Sequence, residues 1–93
     1  MQYDATSKTL YLPAKCTLAD ISTLVAEISN HYRNNQIELI SGKYLSEIDS
    51  SAISLLLSLK RMNANNIHFL DMPSNISKLA SLYGVNEILD ITK

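Results

Sequence analysis

Apolar positions along the chain follow two periods. Leu18, Ile21, Leu24, Val25, Ile28 and Tyr32 recur at helical spacing, as do Ile76, Leu79, Ala80 and Tyr83 further on. Between and before them stand short runs with the β-branched and alternating character of strands. These are Gln36-Ile37-Glu38-Leu39-Ile40-Ser41, Ile67-His68-Phe69-Leu70, and two runs over residues 1–4 and 9–12 flanking Ala5-Thr6-Ser7-Lys8 as a hairpin. Pro13 ends the second strand by withholding an N–H. Thr17 with Asp20 three residues later has the form of a capping box, with Asp for the usual Glu. Residues 41–46 read as a loop. Asn65-Asn66 breaks a central helix predicted over residues 50–63, and Asp71-Met72-Pro73 turns the chain. Ser74 is expected to cap the last helix and Gly84 to end it. Residues 86–91 add a final turn. The order ββαβαβα predicts one α/β domain over residues 1–93, a small sandwich whose four-stranded mixed sheet is covered by three helices.

The central helix has the least ordinary pattern. Its start reads Glu47-Ile48-Asp49-Ser50-Ser51, where side-chain oxygens can accept the orphan N–H groups of a first turn. At about 100° per residue, Ser51, Ser54, Ser58, Arg61 and Asn65 share one narrow stripe. Ala52, Ile53, Leu55, Leu56, Leu57, Leu59, Met62 and Ala64 take most of the remaining circumference, with Lys60 and Asn63 interrupting near the end. A helix with one buried face needs far less. This one is expected to be wedged between the sheet and a neighbouring helix, with Leu56 deep against the sheet. Its serine-lined edge and start are then the surface offered to a partner.

Composition narrows the function classes. The hydrophobic share is 46% and the formal net charge −1, with Lys and Arg scattered along the chain. Nucleic-acid binding calls for a concentrated basic face, which the sequence lacks. Cys16 is the lone cysteine, which suits a reducing cytosol. No basic n-region with an apolar core opens the chain, and no apolar run approaches the ~20 residues of a membrane span. Work at a membrane would require another subunit to hold the protein there.

Catalytic chemistry finds little to stand on. Gly42 and Gly84 are the only glycines, so no P-loop or dinucleotide fingerprint can form. Ser50 lacks the flanking glycines of a nucleophile elbow. His31 and His68 read as solvated or packed, and with Cys16 they show no metal-ligand spacing. Asp71 follows a strand as a phosphoacceptor would, but it also begins a Pro-containing turn. Tyr3, Tyr11, Tyr32, Tyr44 and Tyr83 are dispersed rather than arrayed for stacking. The expectation is a protein without catalytic residues, cofactor or metal.

Two segments resemble a known family. Ile48-Asp49-Ser50-Ser51-Ala52-Ile53 followed by leucines is similar to the signature of STAS domains, named for sulfate transporters and anti-sigma factor antagonists. The resemblance implies a STAS-like sandwich over nearly the whole chain. It also implies that Ser50 is the partner-contacting or phosphorylated hydroxyl, with Asp49 before it and Ser51 and Ser54 after it. Ala52 departs from the Gly that many members carry. Leu79-Ala80-Ser81-Leu82-Tyr83-Gly84-Val85, with Leu89 beyond, is similar to the tail of the MlaB branch of that family. These are small STAS subunits of bacterial phospholipid-transport ABC complexes, which serve outer-membrane lipid asymmetry. That likeness implies a non-enzymatic cytoplasmic subunit, peripheral on the inner face of the membrane, whose partner is the ABC-transporter ATPase. The alternative is an anti-sigma factor antagonist whose Ser50 is phosphorylated by an anti-sigma kinase, since Ser stands where the MlaB branch commonly has Thr.

Overall fold

The computed structural model describes residues 1–63 and 67–89. In chain order these form β1 (Gln2–Asp4), β2 (Thr9–Tyr11), β3 (Lys15–Cys16), α1 (Ile21–Asn34), β4 (Leu39–Ser41) and β5 (Glu47–Ile48). After them come α2 (Ser50–Asn63), β6 (His68–Leu70), α3 (Ser74–Leu82) and α4 (Asn86–Leu89). The expected break at Asn65-Asn66, the apolar Ala64 and the end of the final turn at Ile91 lie outside the described residues.

The four expected strands make one mixed sheet in the order β1-β2-β4-β6. β1 and β2 are antiparallel, while β2, β4 and β6 run parallel. The hairpin turns through Lys8 at φ 54, and the Asp4 side chain accepts the Thr6 N–H at 2.9 Å as an Asx turn. Strand register puts Tyr3, Leu10, Ile40 and Phe69 in one row on one face. The last three of these are fully buried in the common core with residues of every helix. On the opposite face Asp4 and His68 are exposed and Leu39, Leu70 and Tyr11 half-buried, while the small side chains of Thr9 and Ser41 are covered.

Two expectations on architecture are corrected. The helices number four rather than three among the described residues, because residues 86–89 close a helical turn whose Leu89 reaches the core. Residues 15–16 and 47–48, to which the sequence assigned no strand, pair in parallel as a separate two-stranded sheet, Lys15 with Glu47 and Cys16 with Ile48. Two-residue strands are too short to display a period of two.

α2 lies at the centre of the helical layer and touches α1, α3 and α4. That placement explains its wide apolar arc: Ala52, Ile53, Leu55, Leu56 and Leu59 are all buried. Ser50, Ser54, Ser58 and Arg61 face solvent. The flanking helices need narrower stripes. In α1 only Leu24 and Ile28 are buried, and Val25, expected in the core, is 47% exposed. Leu18, also expected there, precedes the helix and is 72% exposed.

Helix ends differ from expectation in the same local way. The Asp20 carboxylate accepts the Thr17 N–H at 3.2 Å and the Thr17 hydroxyl at 2.8 Å. It therefore closes a turn ahead of α1, and no side chain caps the helix itself. Ser74 is not a cap either. Pro73 holds that position with extended dihedrals, and Ser74 is the first helical residue. Gly84 does end α3, at φ 70, where a side chain would be strained. Its N–H donates to Ser81 O at 3.1 Å and that of Val85 to Ala80 O at 2.9 Å, the paired bonds of a Schellman motif.

Candidate partner-binding surface at the start of the central helix

Asp49 organises this surface. It sits in the cap position of α2, where its Oδ1 accepts the Ser51 N–H at 2.8 Å, satisfying one orphan donor of the first turn. Its other oxygen, Oδ2, accepts the Leu18 N–H at 3.0 Å. The short β3–β5 pairing makes the second bond possible, because it brings the residues after Cys16 alongside those after Ile48. One carboxylate thus fastens the start of α2 to the turn before α1. The Leu18 bond is the main reason the Asp49 carboxyl is held below its ordinary value, with Ser51 adding to the effect and desolvation opposing it.

The hydroxyls at this end divide into two kinds. Ser51 is half-buried and turned toward Asp49, so its part is structural. Ser50 and Ser54 are exposed and lie one helical turn apart, on the same side of α2. Because Asp49 supplies the cap, the Ser50 hydroxyl makes no hydrogen bond to any described residue. It stands free at the positive end of the helix dipole. The structure therefore brings Asp49, Ser50, Ser51 and Ser54 together, with Ser50 and Ser54 presented outward.

The surroundings add what the sequence pattern hid. Leu18 and Val25, taken for core, are exposed beside this end and along α1. A shallow cleft between α1 and α2 is lined by Val25, Ile28, Ser29, Leu55, Ser58 and Leu59. No charged residue occurs at positions 50–59 or 21–26. Charge depletion with exposed apolar side chains marks the centre of a protein–protein interface rather than ordinary solvated surface. Charges return with Asp20 and Asp49 at one end, the exposed Glu27 midway along α1, and Lys60 and Arg61 at the other end. Lys60 is engaged: it donates to Ile67 O at 2.8 Å and lies 5.7 Å from the centre of the Phe69 ring. Leu18 lies inside the turn that Thr17 and Asp20 close, ahead of the first helical residue Ile21, and the sequence pattern placed it in the helix instead.

The other chemistry-bearing residues lie elsewhere. Cys16 is buried, and burial first, then the Asp49 and Asp20 charges, push its thiol up to about 11, where it is protonated and unreactive. His31 lies in the last turn of α1 with its ring 6.2 Å from that of Tyr3, and His68 opens β6 facing solvent. Asp71 is exposed at φ 54 in the turn after β6. Tyr11 and Tyr44, read as dispersed, come together with ring centres 5.7 Å apart. Among the described residues, no three His, Cys, Asp or Glu side chains converge as a metal site. No described helix is long and apolar enough to cross a membrane. Comparisons with protein-family models, with curated proteins and with solved structures return no match, and the functional reading rests on the residues of this surface.

Proposed function

We propose that this chain is a non-enzymatic, STAS-like subunit that binds the ATPase of a phospholipid-transport ABC complex and supports its assembly and activity. On this reading it is cytoplasmic and peripheral, held at the inner face of the membrane by that partner. The observation that carries the proposal is the exposed Ser50 hydroxyl at the Asp49-capped start of α2, unbonded among the described residues and beside a face on which Leu18 and Val25 are exposed. A face of this kind suits recognition by a folded protein. Among the described residues no base is hydrogen-bonded to Ser50, which supports contact as the role of the site.

A second reading draws on the same hydroxyl. An unbonded Ser at a helix N-terminus can accept a phosphate, whose roughly 1.5–2 negative charges the helix end would favour. That suits an anti-sigma factor antagonist switched by an anti-sigma kinase. Purification of the tagged chain from native lysate tests both readings. Co-purification of a Walker-motif ATPase, lost in Ser50→Glu, supports the first. A small kinase of the histidine-kinase-like type, with phosphate on Ser50, replaces it by the second. Turnover of nucleotide by the purified chain that vanishes in Ser50→Ala would overturn both.

A further inference from the structure

A cleft of about 550 Å³ opens beyond the carboxyl ends of the parallel strands β4 and β6, lined by Lys43, Asp71, Met72, Ser74 and Ser77. Open α/β sheets take ligands in crevices at the carboxyl ends of their strands, and this volume is within the range of small-molecule sites. Its walls are held in place. The buried Ser41 hydroxyl accepts the Lys43 N–H at 3.2 Å, and the Gly42 N–H donates to Leu70 O at 2.9 Å. A Cβ on Gly42 would stand 2.5 Å from Met72 Sδ and 3.2 Å from Met72 Cα, so glycine lets the two strand-end segments close on each other.

Charge and hydrogen-bonding capacity identify the ligand. Lys43 and Asp71 are exposed on the same cleft and form no ion pair with each other or with any other described residue. The Lys43 ammonium instead lies 5.7 Å from the centre of the Tyr44 ring. A simple anion here would gain Lys43 but face Asp71, and a simple cation would meet the reverse. Only a molecule with both charges uses both. Ser74 and Ser77, one turn apart on α3, add two hydroxyls with no hydrogen-bond partner among the described residues. Pro73 gives α3 no side-chain cap, which leaves N–H groups of the first turn as further donors. These donors outnumber the two oxygens of a carboxylate and suit the four of a phosphate. We propose that this cleft binds a small zwitterion in which a phosphate ester and a primary ammonium are joined by a short linker. The phosphate lies against Lys43, Ser74 and Ser77, and the ammonium against Asp71.

The cleft shares no residue with the start of α2. The proposal therefore stands or falls apart from the partner reading.

Amide NMR titrations of the purified full chain with phosphoethanolamine, inorganic phosphate and ethanolamine test it. Phosphoethanolamine should give saturable shifts centred on Lys43, Asp71, Ser74 and Ser77, and bind about tenfold or more tightly than either fragment. Lys43→Gln should remove its advantage over ethanolamine, and Asp71→Asn its advantage over phosphate. Lys43 is exposed, and asparagine tolerates the left-handed backbone of Asp71 at φ 54, so both variants should keep the melt of wild type. Flotation with phosphatidylethanolamine vesicles separates the two sources of such a group. Flotation that both substitutions abolish assigns the cleft to a lipid headgroup, and solution binding without flotation assigns it to a free molecule; either upholds the site. Phosphate binding as tightly as phosphoethanolamine would leave only an anion site and overturn the proposal. Absence of saturable shifts, or binding unchanged in both variants, overturns it as well.

Discussion

The starts of α2 and α3 carry the same residue type and use it differently. Each helix opens on a serine exposed to solvent, Ser50 in one and Ser74 in the other. Before Ser50 stands Asp49, whose two oxygens reach into its own helix and across to Leu18. Before Ser74 stands Pro73, which fixes the backbone and offers no side-chain bond. Neither hydroxyl makes a hydrogen bond to a described residue. Only at α2 does the hydroxyl stand beside the exposed Leu18, tied through Asp49 to a second segment of the chain. The meaning of a serine at a helix start lies in the residue before it and in what that residue reaches.

The coarsest way to break this comparison is to remove the packing under either helix. Leu56 of α2 and Ile76 of α3 are both fully buried. Leu56→Ala or Ile76→Ala should cost about 2–5 kcal/mol each in urea melts, a large part of a total near 5–15 kcal/mol. A cost below ~1 kcal/mol at Leu56 would mean that it does not face the core.

A sharper cut removes the feature that sets the two starts apart. Asp49→Ala takes away both bonds and should lower the melting temperature by several degrees, whereas Pro73→Ala removes no side-chain bond. The same carboxyl gives stability a pH dependence. Its value in the folded chain lies below the ordinary 3.8, so its contribution is fully present above that value and is lost as pH falls through the folded one. Acid titration of stability should therefore fall more steeply below that pH in wild type than in Asp49→Asn. Parallel curves would show that the carboxylate is unbound in solution.

Binding separates the two serines next. Ser50→Glu should leave the melting temperature near that of wild type and weaken partner binding by about tenfold or more, on the order of 1.4 kcal/mol. Ser74→Glu should leave binding unchanged in the same titration. The smallest effect expected is on folding: Ser50→Ala and Ser74→Ala remove no hydrogen bond and should each stay within about 0.5 kcal/mol in denaturant melts. A larger loss at Ser50 alone would make it a structural cap.

The sequence announces α2 because its signals agree: Asp49-Ser50-Ser51 marks a start, a long apolar run follows, and the observed bounds are those expected. The four main strands and their alternation with helices were legible for the same reason. β3 and β5 were not, since two residues carry no period and their pairing joins segments about thirty positions apart. The outward turn of Leu18 and Val25 was hidden because helical spacing marks a face without saying how much of it the core will take. α2 already fills the centre of the helical layer, which leaves α1 only a narrow contact. The Asp49–Leu18 bond was equally invisible, because it depends on the fold delivering a backbone N–H to a particular oxygen. The Tyr11–Tyr44 contact likewise depends on strand β2 lying beside β4.

Residue 18 holds its place through its amide while its side chain points into solvent. Every amino acid except proline has that amide. The mount therefore does not depend on what it carries, and the tip beside Ser50 is open to variation at almost no cost to the fold. Substitutions there, from Leu to Phe, Lys or Glu, would change what the surface prefers to touch while the Asp49 clasp stays closed. Such a position lets recognition drift or be redesigned without a stability penalty. Only proline would release the clasp.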